Sequence, residues 1–309
     1  MYQNNKYQLP SILQNRIHEA HKSQKLHAYV DEAFSIWAEL LKDYKVLEEK
    51  YQLPFELKEK TKLYALDSIV VADTLGISTK NRRQAVKVYC LYYLAVHLID
   101  DIVEDPEKFI SKYYIKEDLA SFEQIDSTIG TSFLLLCNIF IGRILEGKSD
   151  SHRFEIQNEF NSSLAYQIKY FLQEKNTELN YKAVLTAKQR EVSGRASSFI
   201  IEPLIHLLGT DKNKIKYLKK ALYYMGSLTQ FTDDFRDYQK DLETQNLNLL
   251  ITLEQDYNTL ALDKWFSLYM EEESYMQEQL LLAGVSNDSI ELIKIIPLYP
   301  FFMKHLTSK

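Results

Sequence analysis

Glycine and proline are scarce in this chain, and their distribution constrains the fold more than any other feature of the sequence. Only eight of the 309 residues are Gly and six are Pro, and the segments 107–129, 148–193 and 227–283 contain neither. An all-β sandwich or barrel needs a turn roughly every 8–12 residues, so this distribution excludes one. Structureless loops of such length are rare in compact domains. The sequence therefore predicts an all-α protein.

Apolar residues recur at helical spacing within the chain. In 215–229, for example, Ile215, Leu218, Leu222 and Met225 lie three and four residues apart. We predict helices over 11–22, 25–49, 55–75, 79–105, 116–125, 129–146, 151–174, 178–207, 212–242 and 258–282, with a short one near 287–306.

No change of composition marks a linker, and no internal repeat is visible. We therefore predict one helical domain over 1–309, in which the N-terminal helices of 1–55 are peripheral. The formal net charge of −6 argues against a general nucleic-acid binder, because such proteins present a basic face. Cys90 and Cys137 lie in apolar stretches and are typical of the free thiols of a cytoplasmic protein. We expect neither a signal peptide nor a membrane-spanning segment.

The first of two acidic clusters ends the apolar helix predicted over 79–105. Asp100 and Glu104 share one face of that helix, and Asp101 and Asp105 share another about 100° round. The cluster lies at a helix C-terminus, where the macrodipole disfavours each negative charge by ~0.3–1 kcal/mol. A bound divalent cation would remove this cost, because hard cations take carboxylate oxygens as ligands.

The second acidic cluster follows an uncharged stretch, 221–232, of another predicted helix. Asp233, Asp237 and Asp241 recur at intervals of four and form a stripe about 12 Å long, in which neighbouring charges repel. For either cluster alone, a solvated acidic face is an equally good explanation. Two such clusters together predict carboxylates on two facing helices that hold Mg²⁺ with water and substrate phosphates.

A third element lies between the two clusters. Gly194 stands inside a helical stretch, where it costs ~1 kcal/mol relative to Ala. With Ser193 it predicts a break in the helix, and Arg190 and Arg195 flank that break. The guanidinium group has a fixed fork of donors that suits a diphosphate. The alternative is two surface arginines and a tolerated glycine.

These elements together resemble the class I isoprenoid (terpenoid) synthase superfamily over roughly 60–305 of the chain. The resemblance implies a helical bundle around a central, aromatic-lined cavity. It also implies an enzyme that binds a prenyl diphosphate substrate through three Mg²⁺ ions, for which Mn²⁺ can substitute. A homodimer is compatible with it.

The first acidic motif matches the superfamily in two registers. Asp100-Asp101-Ile102-Val103-Glu104 resembles the D-D-x-x-D/E motif, which implies that Asp100 and Glu104 are the principal metal ligands. The overlapping stretch from Asp101 resembles the D-x-x-E-D motif of squalene synthase, which would favour Asp101 and Asp105. Both registers remain open.

The second acidic motif resembles three branches of the superfamily. The triad of terpene cyclases, (N/D)-D-x-x-(S/T)-x-x-x-E, would use Asp233, Asp237 and Asp241 as metal ligands. The G-x-x-x-Q-x-x-D-D-x-x-D motif of chain-elongating prenyltransferases would use Gly226, Gln230, Asp233, Asp234 and Asp237. The Q-x-T-x-x-x-R-D-Y-x-x-D motif of squalene synthase would use Gln230, Thr232, Arg236, Asp237, Tyr238 and Asp241.

Other motifs favour the cyclase branch. Elongating enzymes carry G-K-R-x-R-P before the first motif and R-R-G after it, and neither occurs here. Arg190-x-x-Ser193-Gly194 is similar to the sensor, linker and effector of terpene cyclases, which implies catalytic roles for these residues. We interpret the chain as a class I terpene synthase, a carbon–oxygen lyase that ionises a linear C15 or C20 prenyl diphosphate. The alternatives are a prenyltransferase of the squalene/phytoene synthase or chain-elongating type, and a non-catalytic relative.

Further side chains complete the predicted site. We expect substrate contacts from Arg190, Arg195, Gln230, Asp234, Arg236, Tyr238, Lys240 and Tyr299. The C-terminal R-Y pair of many bacterial cyclases is missing, and Tyr299 lies in that region. We expect the cavity wall to include Tyr92, Tyr93, Phe199 and Phe231, because aromatic ring faces attract a carbocation. Core packing is the alternative role for each of these four.

Overall fold

A computed structural model describes residues 6–51, 64–104, 138–139, 141–142, 145–147, 149–174, 180–208 and 211–301. Its helices are, in chain order, α1 (Ser11–Lys22), α2 (Gln24–Tyr51), α3 (Tyr64–Thr74), α4 (Thr79–Glu104), α5 (Asp150–Glu174), α6 (Tyr181–Val184), a π-helix (Leu185–Gly194), α7 (Arg195–Ser198), a 3-10 helix (Phe199–Leu204), α8 (Ile205–Leu208), α9 (Lys212–Thr244), α10 (Leu249–Tyr257), a 3-10 turn (Asn258–Leu260), α11 (Ala261–Leu282), α12 (Asn287–Ile293) and a last 3-10 helix (Ile296–Leu298). No strand occurs among these residues, and the predicted all-α class is confirmed.

Most predicted helices agree with the structure. The bounds of α1, α4 and α9 lie within two residues of the predicted ones. The helix predicted over 116–125 lies outside the described residues, as does most of the one over 129–146. No prediction covers α10, because no Gly or Pro separates it from α9. The chain turns instead at Gln245, which has a left-handed backbone with φ 58°.

The chain forms two compact units. One consists of Met1–Ala28, Lys169–Ile201 and Leu208–Lys309, and the other of Tyr29–Ile168 and Glu202–Leu207. The single domain expected over 1–309 and the peripheral position of 1–55 stay predictions.

Helix α9 is the centre of the first unit, where it packs against the π-helix, α10 and α11. Four fully buried aromatic side chains join α9 to α11. The rings of Phe231 and Phe235 lie 5.9 and 5.4 Å from that of Trp265, which stacks on Tyr269 at 5.5 Å. Burial of each such ring stabilises the fold by roughly 1.5–3 kcal/mol, so this cluster holds α9 in place.

Helix α1 is attached to the same unit by an ion pair. The guanidinium group of Arg16 donates two hydrogen bonds to the carboxylate of Glu273 on α11, one of them at 2.9 Å. Glu273 is almost fully buried, so its charge requires this partner.

The second unit contains an ion network and one isolated acid. Arg82 on α4 donates to Glu32 and to Asp73, which satisfies a buried guanidinium group. Asp67 on α3 is also buried, but its Oδ1 has no hydrogen-bond partner. Burial raises the pKa of the Asp67 carboxyl to about 8, and the same acid contributes to the raised pKa of the buried Cys90 thiol. Asp67 is therefore protonated at neutral pH in the folded chain.

Over the described parts of the chain, no helix is long and apolar enough to cross a membrane.

Asp67 makes the stability of the protein dependent on pH. Its folded pKa of about 8 exceeds the unfolded value near 3.8, so ionisation favours the unfolded chain as pH rises between these values. We expect Asp67→Asn to remove this loss, which is on the order of 1.4 kcal/mol per pH unit in that window. Urea denaturation of both proteins at pH 5 and pH 8 measures it. The free energy of unfolding of the variant minus that of the wild type should be larger at pH 8 than at pH 5. A difference that does not change with pH would contradict the account.

Candidate functional site

The first acidic cluster lies where its sequence places it, at the end of α4. The backbone of Asp100, Asp101 and Glu104 belongs to the last two turns, and the helix ends at Glu104. Asp105 and the side chains of the other three lie outside what the structure describes. Their role as metal ligands, and the arrangement of the two clusters across a cavity, stay predictions.

The second acidic cluster lies on α9, and its predicted stripe divides into two kinds of carboxylate. Asp233 and Asp237 are partly exposed, and Arg236 donates hydrogen bonds to both. Burial raises the pKa of Asp233 to about 6, although Arg236 opposes the shift. For Asp237, hydrogen bonds from Arg236 outweigh burial, and its pKa is lowered. Asp241, by contrast, is buried.

Asp234, between these positions, is the most enclosed carboxylate of the cluster. Its side chain is 1% exposed and accepts hydrogen bonds from Gln189 Nε2 at 2.7 Å, Gln230 Nε2 at 2.9 Å and the backbone N–H of Leu249 at 2.7 Å. The ammonium group of Lys188 lies 3.2 Å from Oδ1. Burial raises the pKa of Asp234, and Lys188 acts in the opposite direction. These donors make Asp234 an anchor of α9.

Asn248 connects the end of the cluster to α10. Its Oδ1 caps α10 by accepting from the N–H groups of Leu250 and Ile251. Its Nδ2 donates to the carbonyl oxygen of Asp234 at 2.7 Å and to Oδ2 of Asp241 at 2.8 Å. Asp241 therefore faces α10 through this bond.

The third predicted element forms the π-helix Leu185–Gly194. The backbone stays helical at Gly194, with φ −61° and ψ −45°, so the break predicted at Ser193-Gly194 is a wider helical winding instead. Because π-helices are rare and concentrate at functional sites, this winding supports a functional role for the segment. The π-helix places Lys188 and Gln189 beside Asp234. Its Ser193 hydroxyl donates a hydrogen bond to Gln230 Oε1 at 2.6 Å.

The two arginines of this element have acidic partners. Arg190 donates to Glu272 of α11, with Nε at 3.0 Å from Oε1. Glu272 is 2% exposed, so Arg190 neutralises a buried charge. Arg195 is exposed and pairs with Glu191 one turn away. The catalytic and diphosphate-binding roles of Arg190 stay predictions.

Two glycines let the π-helix and α9 approach closely. A Cβ at Gly226 would lie 2.2 Å from the carbonyl oxygen of Ser193, and one at Gly194 would lie 2.7 Å from that of Tyr223. Real Cβ atoms do not make such contacts. Packing therefore explains a glycine at position 194 without a helix break. The two glycines together set the distance at which Asp234 meets Gln189.

The remaining predicted residues occupy several environments. Tyr238 is buried and donates to Glu254, whereas Lys240 is exposed. Tyr92 packs edge-on against Phe160 in the second unit, and Phe231 belongs to the α9–α11 aromatic cluster. Phe199 is buried, and Tyr93 and Tyr299 are half-buried. Their cavity and substrate roles stay predictions.

Four residues of this site were not predicted: Lys188, Gln189, Asn248 and Glu272. A signal existed for Asn248, since Asn before the apolar run 249–251 is a common helix start. Lys188 and Gln189 precede Arg190 directly, but nothing in the sequence says which side of a π-helix faces α9. In the sequence Glu272 resembles a surface acid, because its partner Arg190 lies 82 residues away.

The donor set of the second cluster suits Mg²⁺. Across the described side chains, no group of three or more His, Cys, Asp or Glu is arranged to hold a metal ion. Mg²⁺, however, is usually bound by one or two carboxylates with substrate phosphates and water, rather than by a protein cage. Asp233 and Asp237, one turn apart and partly exposed, match that requirement.

Comparison with known proteins identifies the fold. No family model and no curated protein matches the chain. The solved structure of the geranylgeranyl pyrophosphate synthetase from the archaeon Geoglobus acetivorans aligns over 97% of this chain and 99% of its own, with a TM-score of 0.64 and 13% identity. A polyprenyl synthetase from Streptomyces coelicolor A3(2) aligns over 89% and 99%, with a TM-score of 0.58 and 11% identity.

The chain has the fold of the class I isoprenoid synthases. At 13 and 11% identity this likeness shows the fold alone, and the superfamily resemblance noted in the sequence stays a prediction beyond the fold. Dimerisation and a cytoplasmic location stay predictions.

The close approach at Gly226 generates a stability prediction. Gly226→Ala should lower the free energy of unfolding by about 1–3 kcal/mol, because the new methyl group overlaps the Ser193 carbonyl. Ala would otherwise favour a helix by about 1 kcal/mol. Gly142→Ala is the control, since the nearest atom to its Cβ among the described residues would be Gln157 Nε2 at 4.0 Å. Urea denaturation measures both, and a stabilised Gly226→Ala variant would contradict the crossing geometry.

Proposed function

We propose that the protein is a Mg²⁺-dependent enzyme that acts on prenyl diphosphates as a prenyltransferase of the chain-elongating type. The observation that carries the proposal is the division of the second acidic cluster into a buried anchor and two partly exposed carboxylates. The two solved structures described above are named as a geranylgeranyl pyrophosphate synthetase and a polyprenyl synthetase, and these names support the proposal. The terpene synthase that the sequence motifs favour is therefore the second candidate.

The environment of Asp241 favours the elongating branch over the cyclase. A cyclase triad would need Asp241 as its third metal ligand, yet this buried side chain accepts a hydrogen bond from Asn248. The elongating motif ends at Asp237 and makes no demand on Asp241. Its Gln230 and Asp234 are hydrogen-bonded to each other at 2.9 Å. Gly226, which begins the motif, has its own packing role at the π-helix.

The residues of the cluster divide the work in this proposal. Asp233 and Asp237 would hold Mg²⁺, which when bound neutralises the diphosphate leaving group. Asp234 fixes the rotation of α9, so that Asp233 and Asp237 present their carboxylates on the same side. Lys188 lies beside the cluster, and its charge opposes the rise in the pKa of Asp233 that burial causes. Arg236, bound to both carboxylates, holds them in one place without a metal.

The terpene synthase is the second candidate. It is favoured by the winding of the segment that contains Arg190, Ser193 and Gly194, and by the absence of the arginine-rich motifs of elongating enzymes. In that case the allylic C–O bond of a single prenyl diphosphate would break with release of diphosphate, and the resulting carbocation would cyclise and then lose a proton or capture water.

Product analysis separates the two candidates. Geranyl, farnesyl and geranylgeranyl diphosphate are each incubated with the protein and Mg²⁺, with and without isopentenyl diphosphate. We expect product only when both substrates are present. The allylic C–O bond breaks, a C–C bond to isopentenyl diphosphate forms, and one proton and one diphosphate leave.

Each alternative has a distinct outcome in this assay. A hydrocarbon or alcohol from one diphosphate alone would contradict elongation and favour the terpene synthase. A product with twice the carbon count of the substrate, formed without isopentenyl diphosphate, would favour the squalene/phytoene type. Turnover of none of these substrates would contradict both candidates.

The metal assignment makes a second prediction. Asp233→Ala should lower turnover by on the order of 10³-fold, because the charge of the departing diphosphate loses its counter-ion. Glu243→Ala is the control, since Glu243 is exposed on the same helix and accepts a hydrogen bond from Gln239. EDTA should abolish the activity of both wild type and control. Full turnover without divalent metal would contradict the assignment.

A further inference from the structure

Asn248 uses both ends of its side-chain amide. Oδ1 accepts from the N–H of Leu250 at 3.0 Å, whereas Nδ2 donates to the Asp234 carbonyl and to Asp241 Oδ2. The residue is 1% exposed, so these contacts are shielded from water. One neutral side chain thus connects the start of α10 to both buried acids of α9.

The caps of other helices do not need this second function. Asn180 and Ser286 also cap helices through their side chains, but the hydrogen bonds found for them stay within the local turn. Asn, Asp and Ser are almost interchangeable as caps, because each supplies the acceptor oxygen. Of these, only Asn adds two N–H donors. The requirement for an amide at position 248 therefore comes from the acidic cluster rather than from α10.

The amide holds Asp241 without neutralising its charge. Asp241 lies two turns after Asp234 on one side of α9, and both carboxylates are buried. A buried carboxylate without a donor pays its full desolvation cost and would turn toward the nearest cation. Asp233 and Asp237 lie on the neighbouring side of the helix. The bond from Asn248 thus separates Asp241 from the two carboxylates that remain accessible.

We infer that Asn248 is a positioning residue for the diphosphate–Mg²⁺ site. By binding Asp241 and the Asp234 carbonyl, it restricts the acidic stripe to Asp233 and Asp237. The inference rests on the proposed function, since it assumes that these two carboxylates hold the metal.

Calorimetric titration of inorganic diphosphate in the presence of Mg²⁺ tests the inference without turnover. Asn248→Asp keeps the cap but turns an oxygen toward Asp241, and should raise the dissociation constant about tenfold or more. Adding Asp241→Asn restores an amide–carboxylate pair between the two positions in the reverse order. In the double variant, the logarithm of the dissociation constant should rise by less than half as much as in Asn248→Asp.

Asn180→Asp is the control, because it makes the same substitution at a helix cap whose hydrogen bond stays within the local turn. It should bind diphosphate as the wild type does. Thermal unfolding of each variant fixes a temperature at which all are folded. If Asn248→Asp does not fold, Asn248→Ser replaces it, since serine keeps the cap and lacks both donors.

The outcomes distinguish this inference from the proposed function. Wild-type protein that fails to bind diphosphate with Mg²⁺ would overturn both. Wild-type binding with undiminished binding by folded Asn248→Asp, or by Asn248→Ser, would overturn the inference alone. A double variant no better than Asn248→Asp would also overturn it, because the pairing would then have no effect on the site.

Discussion

The hydrogen bonds to the buried carboxylate of Asp234 are the interactions on which the rest of the first unit depends. An ion so enclosed is tolerated only when its lone pairs are satisfied. The donors come from the π-helix, from α9 itself and from the start of α10. Because three separate segments must meet at one side chain, Asp234 fixes both the rotation of α9 and the position of its partners.

Two features of the backbone make this convergence sterically possible. The glycines at 194 and 226 bring the π-helix within contact distance of α9. The wider winding of the π-helix then places Lys188, Gln189 and Ser193 along the side of it that meets α9. The stability of the fold and the geometry of the site are therefore linked at the same crossing.

Much of this architecture could be predicted from the sequence, because long stretches without Gly or Pro require helices. The acidic clusters were also visible as local patterns, whereas the break predicted at Ser193-Gly194 is a continuous π-helix over Leu185–Gly194. Periodicity does not reveal which carboxylates are buried, since that depends on partners distant in sequence, such as Gln189 for Asp234. The stripe at intervals of four therefore suggested three equal ligands, whereas the fold gives Asp241 a partner in Asn248. The start of α10 could not be predicted either. The turn before it has a left-handed backbone at Gln245, and such turns are usually marked by glycine or asparagine.

The central claim is that the second cluster presents Asp233 and Asp237, and not Asp241, to a metal–diphosphate complex. Anomalous diffraction from crystals grown with Mn²⁺ and inorganic diphosphate tests it most directly, because it locates the metal ions independently of any assay. The account predicts an anomalous peak coordinated by the carboxylates of Asp233 and Asp237, with Asp241 still hydrogen-bonded to Asn248. A manganese ion coordinated by Asp241, or no ion at this cluster while diphosphate is bound, would contradict it.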